Sequence, residues 1–164
     1  MIKIIVWTVV FSAVAAILQS TLLRYIALYR MVPDIALCVV VYSACVNGAM
    51  TGQVAGFFSG LILDFISAAP LGLNAFIRTL VGALAGLMKG TFFLNFFLPV
   101  VLCAAATVVK ALGLFLLHLL FSGAVPAYSL IASAFWAELL LNSICAPFLF
   151  ALLKRFKPLL GRGK

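Results

Sequence analysis

The chain has 164 residues, 67% of them apolar, with eleven Lys or Arg against three Asp or Glu. A soluble domain is about 45–50% apolar and about 25% charged; at 9% charged this chain has too few charges to cover a water-facing surface. The composition excludes an ordinary soluble enzyme, a disordered chain and, despite a net charge of +8, a nucleic-acid binder. It points to an all-α integral membrane protein.

A spanning helix takes roughly 20 apolar residues. Turn residues and charges divide the chain into six such segments, about 4–23, 33–47, 51–66, 73–88, 96–121 and 129–153, which predicts a six-helix bundle forming a single membrane domain. The first begins after Lys3 and passes Ala13-Val14-Ala15, small residues at cleavage-like spacing, yet its apolar run continues to Leu23, as an uncleaved helix does. The second opens on Pro33-Asp34, where an acid suits the positive end of a helix dipole. With Arg24 and Arg30 nearby in sequence, Asp34 reads as a structural cap. The second and third segments are short, on the order of 24 Å against a ~30 Å hydrocarbon core. Pro33, Pro70, Pro99, Pro126 and Pro158 fall at or near segment ends, and Pro147, inside the sixth, predicts a kink.

Six spans place both termini on one side, together with Lys3, Lys89, Lys154, Arg155, Lys157, Arg162 and Lys164; the other side holds Arg24 and Arg30. The bias toward the first side predicts cytoplasmic termini in a bacterial inner membrane. The basic tail, 154–164, is suited to anionic lipid or to a cytoplasmic partner.

Chemistry-bearing residues are sparse. Cys38, Cys45, Cys103 and Cys145 lie inside segments without Cys-x-x-Cys pairing, so neither a disulfide nor a metal framework is expected. His118 is the only histidine and reads as a packed side chain, and Ser59-Gly60 lacks the Gly-x-Ser-x-Gly elbow. No catalytic residue, cofactor or metal is expected, and the chain reads as no enzyme.

Five charges fall inside segments: Asp34, Asp64, Arg78, Lys110 and Glu138. Such residues are costly and need partners. Gly52, Gly56, Gly60 and Asp64 step by four along the third segment, as do Arg78, Gly82, Gly86 and Gly90 along the fourth. Residues four apart share a helix face, and small residues let helix backbones approach closely in lipid. The expectation is a tight antiparallel hairpin, turned at Pro70-Leu71-Gly72 and clasped by an Asp64–Arg78 ion pair. Its glycine face packs within the bundle or against a partner helix. Gly56→Leu is then expected to be worse than Gly48→Leu. Lys110 and Glu138, both near mid-membrane on adjacent helices, suggest a second pair with Asn142 one turn from Glu138.

Val32-Pro33-Asp34 opening a helix, the glycine-stepped helix ending Gly60-Leu-Ile-Leu-Asp64, and Ala69-Pro70-Leu71-Gly72-Leu-Asn-Ala75 together resemble the bacterial rod shape-determining protein MreD family. The resemblance is specific over 32–90 and is carried elsewhere by length, span count and the basic C-terminus. It implies a non-enzymatic scaffold of the cell-elongation machinery that binds the single-span protein MreC. With MreC it links MreB filaments to peptidoglycan synthases of the RodA and penicillin-binding types. It also implies a fold similar to the substrate-capture subunits of energy-coupling-factor transporters. A vitamin-binding subunit of that kind is the alternative function. Against it, the first helix carries Ser12, Ala16 and Ser20 rather than Ala-x-x-x-Ala, and the outer loops offer few polar groups beyond Asn74, Tyr128, Arg24 and Arg30. A channel or secondary transporter needs repeats or polar stripes that the sequence lacks.

Overall fold

The computed structural model describes residues 1–21, 32–67, 69–90, 97–121, 125, 129 and 131–161. Arg24, Arg30, Phe96, Pro126, Tyr128, Arg162 and Lys164 lie outside the described residues. Among the described residues every regular element is a helix: α1 (Ile2–Thr21), α2 (Ile35–Asn47), α3 (Ala49–Ser67), α4 (Leu73–Leu87), α5 (Phe97–Leu120), α6 (Ser133–Arg155) and a short α7 (Lys157–Leu160). Four of them, α1, α3, α5 and α6, are long and apolar enough to cross a membrane; α2 and α4 are shorter apolar helices. The sixth helix starts at Ser133 rather than near 129 and runs without interruption across Pro147 to Arg155.

The centre of the bundle is α2. Its sequence, IALCVVVYSACVN, is apolar on every face, and eleven of its thirteen residues are buried. A helix that is hydrophobic all round can lie inside a protein or in lipid; α2 lies inside, packed against α1, α3, α4, α5 and α6. Tyr42 meets Phe150 of α6 edge-on with ring centroids 5.4 Å apart, inside a core that includes Leu37, Val41, Val81 and Leu102.

Hydrogen bonds fasten α1 to α2 at two levels. The Thr8 and Ser43 hydroxyls lie 2.8 Å apart in the core. Near the other end of α1, Gln19 Nε2 donates to the Pro33 carbonyl at 2.5 Å while its Oε1 accepts from the Ala36 N–H at 3.4 Å. At the opposite end of the bundle Asn47 Nδ2 donates to the Leu160 carbonyl at 2.7 Å. Leu160 is wholly buried, so the first part of the expected tail, α7, is docked under α2. Lys154 and Arg155 form the exposed last turn of α6, and Lys157 is exposed on α7.

The closest packing is between α3 and α4. A side-chain carbon added at Gly52 would strike the Gly82 carbonyl, one at Gly56 the Arg78 carbonyl, and one at Gly60 the backbone of Asn74 and Ala75; one at Gly86 would strike Ala49. Each step of four along α3 is matched by four back along α4, so a single register holds over the whole contact. Gly90 is a correction: α4 ends at Leu87, and Gly90 sits beyond it with open space where a side chain would point. Gly48 is a second. It has φ +100° at the α2–α3 junction, so it is no neutral site for Leu, because that backbone conformation suits glycine.

Candidate functional site

The register of the glycine contact decides where the nearby charges go. Arg78 stands opposite Gly56, whereas Asp64 lies eight residues further along α3, about 12 Å at 1.5 Å per residue. The expected Asp64–Arg78 clasp is therefore not formed. Asp64 instead lies beside the turn and accepts from the N–H groups of Gly72 at 2.9 Å, Asn74 at 2.9 Å and Ala75 at 3.3 Å, and from Asn74 Nδ2 at 2.9 Å. These are the unpaired donors at the start of α4, so the carboxylate serves as that helix's cap from a neighbouring helix. Gly72, at φ +93°, takes the left-handed conformation that turns the chain into this grip.

Arg78 turns its side chain the other way, into the bundle. Its Nη2 pairs with Asp34 Oδ1 at 2.6 Å, and both side chains are buried. Lys110 of α5 reaches the same carboxylate, Nζ to Oδ2 at 2.8 Å, and also pairs with Glu138 Oε1 of α6 at 2.6 Å. The Lys110–Glu138 pairing read from the sequence is thus present, as one arm of a larger network. Asp34 is its hub. The carboxylate also caps α2 by accepting from the Leu37 N–H at 3.0 Å. The Asp34 N–H donates to Asn142 Oδ1 at 2.6 Å, Asn142 Nδ2 donates to Thr107 Oγ1 at 2.9 Å, and Thr107 donates to the Cys103 carbonyl at 2.8 Å.

Two acids and two bases make this network formally neutral, and it joins α2, α4, α5 and α6. Neutrality is what its location requires, since an unmatched charge in a low-dielectric interior is far more costly than a matched one. Capping by Asp34 is as read from the sequence, and Arg78 and Lys110 bind its oxygens as well. Thr107 was missed. The available signal was spacing: Thr107 and Lys110 are three apart, Glu138 and Asn142 four apart, which puts each polar pair on one helix face.

Of the remaining candidates, Ser59 Oγ donates to the Gly56 carbonyl of its own helix at 3.1 Å, and His118 Nδ1 lies 2.8 Å from the Val125 carbonyl. The cysteines are free thiols. Beside the network a cleft of about 280 Å³ opens between α1, α3 and the start of α2, walled by Gln19, Ser20, Asp34, Ser67, Lys110 and Glu138. It is the place where the buried charges meet open space. What the assembly does chemically is pair charges and lock helices.

The family model of the rod shape-determining protein MreD matches residues 1–156, a span that contains the glycine hairpin and every residue of the charge network. No curated protein and no solved structure matches. Four helices fit to cross a membrane together with this match identify a multi-pass inner-membrane protein with a role in determining rod shape. The chain belongs to the rod shape-determining protein MreD family.

Proposed function

We propose that the chain is a non-enzymatic scaffold of the cell-elongation machinery that spans the membrane six times with both termini in the cytoplasm. It binds the single-span protein MreC and, with it, links MreB filaments to peptidoglycan synthases of the RodA and penicillin-binding types. The observation that carries this reading is the family match over residues 1–156. The charge network supports it: Asp34, Arg78, Lys110 and Glu138 pair with one another across four helices, a use that stiffens a platform. The gathering of Lys3, Lys89, Lys154, Arg155 and Lys157 at one set of helix ends supports a cytoplasmic placement of that end; Arg162 and Lys164 add to the positive charge of the C-terminal sequence, which suits anionic lipid or a cytoplasmic partner.

The test is in-cell crosslinking of the tagged chain followed by purification in mild detergent and mass spectrometry. MreC and cell-wall synthases are the expected captures. The cleft beside Asp34 and Lys110 favours a second reading, a vitamin-capture subunit of an energy-coupling-factor transporter. Recovery of ATPase subunits and a coupling protein without MreC would replace the scaffold reading with that one. Topology is checked separately, by labelling single cysteines placed at Lys3 and Lys157 from either side of the membrane.

A further inference from the structure

A groove of about 490 Å³ runs between α1 and α3 on the outside of the bundle. Every residue lining it is Ile, Val, Leu or Phe. Ile2, Val6 and Val10 of α1 and Phe58 and Phe65 of α3 stand 44–79% exposed along it, while the opposite face of α1 is buried through Ile4, Thr8, Ser12 and Ala15. The groove thus lies on a surface that a membrane covers with lipid.

Three features say what fills it. Its walls contain no Gly, Ala or Ser, the residues through which helices approach one another in lipid; the chain spends its glycines on the α3–α4 contact instead. Neither wall is a full span: the lining runs from Ile2 to Val10 on α1 and from Val54 to Phe65 on α3, about 12–16 Å of helix rise on each, against roughly 30 Å for a whole hydrocarbon core. A spanning partner helix would meet only part of a wall on either side; a flexible acyl chain needs no more. Finally, Ile2 brings the groove to the end of α1 where Lys3 is exposed, placing a cation where a lipid headgroup would lie.

We propose that the α1–α3 groove holds an acyl chain of one anionic glycerophospholipid whose phosphate rests against Lys3. A flexible chain conforms to branched and aromatic walls that a rigid helix cannot match, and the ammonium selects the head. This inference rests on the membrane placement alone and not on the identity of any protein partner.

The experiment is native mass spectrometry of the full chain released from nanodiscs made of equal parts phosphatidylglycerol and phosphatidylcholine. One phosphatidylglycerol is expected to be retained in preference to phosphatidylcholine. Lys3→Gln, at an exposed position, is expected to cut that preference about fivefold, the equivalent of about 1 kcal/mol for one cation at an anionic surface. Val9→Trp, which fills the groove, is expected to abolish retention, while Leu116→Trp on the exposed side of α5 leaves it intact. Equal retention of the two lipids by the parent chain, or no effect of Lys3→Gln, would overturn the proposal. So would a Val9→Trp chain that keeps its lipid but no longer captures MreC, since the groove would then be a helix-docking face.

Discussion

The α3–α4 hairpin and the charge network share one residue and are built on opposite principles. In the hairpin the contact is backbone on backbone: Gly52, Gly56 and Gly60 lie directly against the main chain of α4, and the two helices are joined by a short turn. In the network the contact is side chain on side chain, between Asp34, Arg78, Lys110 and Glu138 on four helices. Arg78 belongs to both, its carbonyl facing Gly56 and its guanidinium reaching Asp34. The comparison teaches that close glycine packing sets a register, and the register then decides which charges can meet. Asp64 is two turns from Arg78 because Gly56 already occupies the position opposite it.

The largest effect that separates the two regions is expected at Asp34. Asp34→Ala strands Arg78 and Lys110 and removes the α2 cap, which should cost about 3–5 kcal/mol by the usual penalty for breaking a buried pair. It is read as a lowered melting temperature in detergent. Asp34→Asn, which can still accept from the Leu37 N–H, should lose less. Parent-like melting of Asp34→Ala would mean that the network contributes nothing to stability.

Gly56→Leu comes next, because the added side chain meets a backbone carbonyl that cannot rotate away. A loss at or above the upper end of about 1–3 kcal/mol for overpacking is expected. Leu84→Phe, on the exposed face of α4, serves as the control and should melt like the parent. Equal melting of the two variants would show that the α3–α4 faces do not touch.

Double-mutant cycles sharpen the boundary between the regions. Asp34→Ala with Arg78→Ala should show a coupling of about 0.5–3 kcal/mol, whereas Asp64→Ala with Arg78→Ala should be additive. Exchanging the charges at Asp64 and Arg78 should rescue neither single variant; rescue would restore the clasp and displace the cap. The smallest effect is expected for Thr107→Val, which removes the hydroxyl accepting from Asn142. A loss of about 0.5–1.5 kcal/mol is expected, and an unchanged melting curve would place Thr107 outside the network.

The sequence by itself determined the class of the protein and much of its local design. Its apolar excess demands a membrane, and glycines at every fourth position, with a Pro-Leu-Gly turn between two runs, specify a hairpin. These are legible because helix periodicity converts spacing directly into a shared face. The pairing of Lys110 with Glu138 was legible for a related reason: two adjacent helices place both near the same depth. Only the tertiary structure decided the partners of Asp34, Asp64 and Arg78. Depth along a helix limits which charges can meet but does not choose among them. The choice depends on the rotation of α4 against α3 and on the burial of the start of α2 among α4, α5 and α6. Those are set by packing between segments far apart in the chain, where sequence spacing carries no geometric information.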